Sequence, residues 1–230
     1  MCTVSWVHTD GGYHLLCNRD EKRTRRAALP PCVERFDGVG VIAPRDGDRG
    51  GSWIAVNQRG VTVCLLNGTP RPAPGSRGHL LLSLTSVRSA LEVCERILRM
   101  ELGPYAPFTV VAIEPEKPVV MVDWDETKRF RTDSPGPLIS SSFDPDGVRA
   151  ARHREFSRMA AGGITPHSLY SFHESHGVQP GPYSPCMHRA DAKTVSFSWV
   201  TVTQQAMSFF YAPGSPCRLG PGGTTHCSRN

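Results

Sequence analysis

Residues 2–21 read CTVSWVHTDGGYHLLCNRDE, and this stretch decides the fold. Thr3 to His8 and Tyr13 to Asn18 are β-rich runs on either side of Asp10-Gly11-Gly12, the turn chemistry of a hairpin. The same grammar recurs outward along the chain. Ser52–Val56 and Val61–Leu66 flank Asn57-Gln58-Arg59-Gly60, Phe108–Glu114 and Val119–Asp125 flank 115–118, and Thr194–Thr203 precedes Met207–Tyr211. Between the hairpins the apolar period lengthens. Leu84, Val87, Leu91, Cys94 and Leu98 recur at steps of three and four and predict an amphipathic helix. A second helix is expected over Val148–Ala161. A third starts at the N-cap Thr165 with Pro166 in its first turn, aligns Leu169, Phe172 and His176, and stops at Gly177. Strands, helices, then strands, all closely connected ones antiparallel, predict a layered α+β sandwich. One domain over 1–212 and a flexible tail over 213–230 are expected.

Composition narrows the function classes. The 230 residues are 39% hydrophobic and 20% charged, and 26 basic against 21 acidic side chains leave +5. No apolar run approaches the roughly 20 residues of a membrane span, so no transmembrane segment is expected. Ser5, His8, Asp10, Gly11, Gly12 and His14 stand where a signal peptide would be apolar, which predicts a cytoplasmic protein. The eight cysteines form no C-x-x-C. The basic cluster Lys22, Arg23, Arg25 and Arg26 reads as a solvated loop, so no nucleic-acid partner is expected. The chain has no G-x-S-x-G elbow, Walker A sequence or G-x-G-x-x-G fingerprint.

Cys2 is the most informative residue. Loss of the initiator Met1 would leave a thiol and a free α-amino group on one residue. The amine, with an ordinary pKa of about 8, can take the thiol proton near neutral pH. The strand beginning at Cys2 can pair with Tyr13–Asn18, which brings Asn18-Arg19-Asp20-Glu21 to the same sheet end. There Asp20 can orient the α-ammonium, and Arg19 can hold a thiolate or a substrate carboxylate. Strand alternation puts Asn18 and Asp20 on one face and Arg19 on the other. Asn67, at the end of an apolar strand and before Gly68, can donate an amide N–H to an oxyanion. Elsewhere, His167, His173 and His176 lack carboxylates or cysteines to complete a metal set and read as packing. Asp123 and Asp125 read as a solvated strand end, and Cys186 with His188 as the approach to the strand at Thr194.

Taken together, Met1-Cys2, Asn18-Arg19-Asp20-Glu21, Gly51-Ser52-Trp53-Ile54-Ala55-Val56-Asn57, Leu65-Leu66-Asn67-Gly68, Ile139-Ser140-Ser141-Ser142 and the run Cys186–Ser196 resemble the NRDE family, that of transport and Golgi organization protein 2. The resemblance implies an N-terminal-nucleophile hydrolase fold, a four-layer αββα sandwich of two antiparallel sheets. It implies Cys2 as nucleophile, Asp20 as partner of its amine and Asn67 as oxyanion donor, with Asn18, Arg19 and Ser141 on the substrate side. Ser141 stands nearest to a later asparagine of the cysteine acylases. The expected function is an N-terminal cysteine hydrolase or acyltransferase acting on a small non-peptide amide or related acyl substrate, with no metal or organic cofactor. The second reading is a non-catalytic binding or trafficking protein for haem or a lipid-related ligand, since eukaryotic members are associated with Golgi organization, lipid metabolism and haem trafficking.

Overall fold

The opening hairpin forms as predicted: β1 (Cys2–Thr9) and β2 (Gly12–Lys22) pair from Thr9 opposite Gly12 to Cys2 opposite Arg19. Gly11 has φ +67°, and a Cβ on Gly12 would lie 2.0 Å from the Val202 carbonyl oxygen, so both turn glycines are required by geometry. The computed structural model describes residues 2–132 and 136–229. After the hairpin come β3 (Leu29–Phe36), β4 (Val39–Arg45), β5 (Ile54–Asn57), β6 (Thr62–Asn67), α1 (Arg77–Ser83) and α2 (Ala90–Arg99). Next are β7 (Phe108–Ile113), β8 (Val120–Trp124), β9 (Lys128–Thr132), β10 (Leu138–Ser140), α3 (Pro145–Met159) and α4 (Pro166–Glu174). The chain closes with β11 (Ala192–Val202), β12 (Ala206–Pro213) and β13 (Gly223–Ser228).

The strands make two antiparallel sheets, ordered β10-β1-β2-β11-β12-β13 and β3-β4-β5-β6-β7-β8-β9. Alternation along the strands explains the layers. Val4, Leu15, Cys17, Val200 and Phe209 of the first sheet meet Ile42, Ile54, Val56, Cys64 and Val111 of the second. On the first sheet's other face Leu16 and Phe197 pack against Phe156 of α3 and Leu169 and Phe172 of α4. On the second sheet's outer face Val63, Val110 and Val122 meet Leu81 of α1 and Val93 and Ile97 of α2. The fold is the αββα sandwich, and no described helix is long and apolar enough to cross a membrane.

Three differences from the sequence reading have identifiable causes. The helix expected from Leu84 is shorter. Ser89 caps α2 by accepting from the Glu92 N–H, and the buried stripe is Ala90, Val93, Cys94 and Ile97, leaving Leu91 and Leu98 exposed. The tail expected to be flexible carries a 3-10 turn at Pro216–Arg218 and the edge strand β13, whose register runs from Ala206 opposite Ser228 to Tyr211 opposite Gly223. The open edge of β12 supplies partners that the weakly apolar GTTHCS segment could not announce by itself. β3 and β9 are edge strands rich in charge or proline, so they lack the apolar alternation by which strands are recognised. The third helix begins as read, with Thr165 and Ser168 in a reciprocal capping box and Pro166 behind the cap, but it ends at Glu174 with Ser175 as C-cap, so His176 lies beyond it and not in line with Leu169 and Phe172 on the helix.

Candidate active site

Antiparallel pairing sets the geometry at the start of β1. Cys2 stands opposite Arg19 on one side and Ser140 on the other, and its N–H donates to Ser140 Oγ at 3.0 Å. Cross-strand partners share a face, so the Cys2 and Arg19 side chains both look into the space between the sheets. They line a cavity of about 400 Å³ with Asn67, Trp53, Ser52, Arg77 and other polar residues. Cys2 is buried, with 4% of its surface exposed. Its hydrogen bond with Cys17, then burial, push the thiol well above its ordinary pKa, so deprotonation needs a base at hand.

Arg19 is fixed rather than free. Its guanidinium donates to Asp46 and lies 4.3 Å over the Trp53 ring. Arg25 grips the same carboxylate at 2.9 and 3.0 Å, and the Arg49 N–H adds a bond at 2.9 Å. Burial raises the Asp46 carboxyl, but these hydrogen bonds and the charges of Arg25 and Arg19 outweigh it and hold the pKa below the usual carboxylate value. Arg25, read from sequence as part of a solvated basic loop, thus lines the cavity.

The alternate residues of β2 point the other way, toward α3 and α4. Asn18 donates to the carbonyls of His173 and Pro185 at 2.8 and 2.9 Å and is fully buried there, so it ties α4 to the sheet and does not face the cavity. Asp20 accepts from Arg152 Nη1 at 3.0 Å and Thr194 Oγ1 at 2.7 Å. Arg152 also donates to Thr3 Oγ1. The register that puts Cys2 beside Arg19 puts Asp20 one step further, level with the amino side of Cys2. A carboxylate there can meet a main-chain amine although it shares no face with the thiol. Met1 lies outside the described residues.

Asn67 ends β6 on the cavity wall, and its side-chain amide has no hydrogen-bond partner among the described residues. The Gly68 N–H is taken by the Pro107 carbonyl at 2.8 Å, and a Cβ there would meet Pro107 at 2.9 Å. The glycine permits close approach and offers no oxyanion donor. Ser141 bonds to the main chain of Phe143 and lines a separate cavity, while its neighbour Ser140 is the serine beside Cys2. Asp123 and Asp125 pair with Arg131 and Arg129, as a strand end would. His173 is buried against Ser5 Oγ at 2.9 Å and held neutral, its pKa lowered to about 3 by burial and by Arg152.

The sequence reading missed Asp46, Arg152 and Ser140. Asp46 carried a local sign, an Asx turn over Asp46-Gly47-Asp48-Arg49, but its meeting with Arg19 depends on how β4 and β2 are brought together. Arg152 gave no sign at all, being one of several arginines on a charged helix.

Known structures share this architecture. The conjugated bile acid hydrolase of Clostridium perfringens superposes with a TM-score of 0.62 at 11% identity, covering 100% of this chain and 97% of that one. Penicillin V acylase of Agrobacterium tumefaciens gives 0.62 at 11% identity over 99% of this chain and 86% of that one. The N-acylethanolamine-hydrolyzing acid amidase ortholog of Caenorhabditis elegans gives 0.59 at 10% identity over 86% and 92%. At such identities the likeness concerns the fold. No curated protein sequence matches. The model of the family Transport and Golgi organisation 2 matches residues 1–145, and with the motifs at Cys2, Asn18–Glu21 and Asn67 inside that span, the chain belongs to this family.

Proposed function

We propose that the protein is an N-terminal cysteine hydrolase or acyltransferase acting on a small amide or related acyl bond. The observation that carries this reading is that the Cys2 thiol lines a polar cavity whose wall also holds an unspent amide donor, Asn67. Once Met1 is removed, the α-amino group of Cys2 would take the thiol proton and the thiolate would attack the substrate carbonyl. Asn67 would donate to the developing oxyanion, and Trp53 Nε1, buried without a partner among the described residues, is a further donor at the wall. The ammonium would return its proton to the leaving group, forming a thioester, and then as amine would activate the water that releases the acid. Asp20, clamped by Arg152 and Thr194, would orient the amine.

The cavity also suggests what kind of molecule enters. Arg19, Arg25, Arg49, Arg71 and Arg77 face Glu21 and Asp46, five cations to two carboxylates, a net +3. Such a wall favours an amide carrying a carboxylate or another anion, and it disfavours a purely apolar cargo. The test pairs intact-mass analysis with hydrolysis of N-acyl amino acids and matching neutral N-acyl amines. Correctly processed protein should start at Cys2 and prefer the anionic series. Cys2→Ala should abolish turnover, and Asn67→Ala should lower kcat by about 10²–10³-fold. Retention of Met1 in active protein, or unchanged turnover in Cys2→Ala, would overturn the proposal.

A further inference from the structure

Outside the cavity, four side chains from three chain segments converge. His176 follows α4, Cys186 and His188 lie on the approach to β11, and Cys217 sits in the 3-10 turn after β12. Their ligand atoms all lie within 4.8 Å of one another. His188 Nε2 is at the centre, 3.1 Å from His176 Nε2, 3.5 Å from Cys186 Sγ and 3.4 Å from Cys217 Sγ.

Hydrogen bonding cannot account for that crowd. An imidazole nitrogen carries either one N–H or one lone pair, so it satisfies one of three such neighbours. Coordination accounts for all of them. With Zn–N near 2.05 Å and Zn–S near 2.3 Å, the edges of a tetrahedron are about 3.3 Å between two nitrogens and about 3.6 Å between nitrogen and sulfur. The observed separations of 3.1, 3.5 and 3.4 Å lie close to those edges. Two thiolates would balance a divalent ion, and two imidazoles complete a donor set suited to zinc.

We propose that His176, Cys186, His188 and Cys217 form a tetrahedral Cys₂His₂ zinc site. Four protein ligands close the coordination sphere, so the ion has a structural role. It joins the end of α4, the entry to β11 and the segment after β12. The Met187 N–H, between two of the ligands, donates to Thr194 Oγ1 at 2.8 Å, and that hydroxyl donates to Asp20 at 2.7 Å. The site therefore braces the strand that positions Asp20. The sequence reading expected no metal. In the sequence His176 and the Cys186-His188 pair stand apart, and Cys217 falls in the tail expected to be flexible.

Elemental analysis of the full chain, purified without chelator, should find close to one zinc per chain. Cobalt added to chelator-stripped protein should develop the intense visible absorption of a tetrahedral thiolate complex, to be displaced by equimolar zinc. Cys217→Ser should weaken cobalt binding at least tenfold, whereas Cys32→Ser, at an exposed cysteine remote from the cluster, should leave it unchanged. The wild-type cobalt spectrum does not depend on any variant folding. Its absence, an octahedral spectrum, loss of binding in Cys32→Ser alone, or a Cys186–Cys217 disulfide in peptide maps of the purified protein would each overturn the proposal. Because these readouts do not use turnover, failure of the zinc site leaves the hydrolase reading intact, and the reverse also holds.

Discussion

Two arginine–aspartate pairs stand on opposite faces of β2, one residue apart. Arg19 meets Asp46 at the cavity, with 8% and 9% of the side chains exposed; Asp20 meets Arg152 beneath α3, with 0% and 1% exposed. The first pair belongs to a network with Arg25, Glu21 and Trp53 that water and ligands can reach. The second is dry, and Thr3 and Thr194 hydrogen-bond to it. The difference teaches that similar chemistry on one strand can serve two ends. A solvated pair tolerates loss of a partner because other charges and water remain, whereas a dry pair that loses one leaves a stranded charge. The cavity face is thus free to specialise in binding, while the helix face holds the strand that presents Asp20.

The strongest way to break this division is Arg152→Met. It should cost about 3–5 kcal/mol, because the buried Asp20 carboxylate loses its Arg152 partner and Thr3 loses its donor. Chemical denaturation would measure it. A loss below about 1 kcal/mol would mean that water reaches Asp20, and the two faces would then be alike.

The helix face has a second consequence, a pH dependence. His173 lies fully buried and neutral in the same layer, its pKa lowered to about 3 while the unfolded chain keeps the ordinary 6.5. Between those values the unfolded chain binds the proton and the folded one does not. Stability is therefore complete above pH 6.5 and falls as the solution is acidified toward pH 3, by about 3 kcal/mol between pH 6.5 and 4 from this group. His173→Gln should flatten that slope relative to wild type. Parallel curves for the two proteins would show that the imidazole is wet and would blur the contrast with the cavity face.

How much of this could be read from the chain follows from where each interaction lies. The opening hairpin was legible because Asp10-Gly11-Gly12 and the flanking alternation are local, and Cys2, Asp20 and Asn67 could be singled out as candidates because one follows Met1 and the other two stand at polar strand ends. The face split between Asn18 and Arg19 was visible as alternation, and it removes Asn18 from the substrate side. Partners were not legible. Asp46 lies 27 residues from Arg19, and Arg152 lies 132 from Asp20, so their meeting is a property of sheet stacking and helix placement, which no window of sequence contains. Cys217 escaped for the same reason, because the turn that carries it is ordered by β12 and its surroundings. The exposed Leu91 and Leu98 show the reverse error: a periodic stripe was present, but the Ser89 cap and the second sheet selected another face of α2.

The smallest expected effect sharpens the comparison most. Arg19→Lys keeps the charge beside Asp46 but loses the planar fork and much of the stacking on Trp53. Arg25 still holds the Asp46 carboxylate, so unfolding stability should fall by only about 1 kcal/mol. If this face is built for binding, the larger change should appear in KM for anionic acyl substrates, with kcat nearly unchanged, because a guanidinium fork and an ammonium differ in how they seat a carboxylate while the thiol and its amine are untouched. Steady-state kinetics alongside denaturation separates the two quantities. A stability loss as large as that of Arg152→Met would make Arg19 a second structural clamp and move the anion-binding role to Arg49, Arg71 and Arg77, which share the cavity wall.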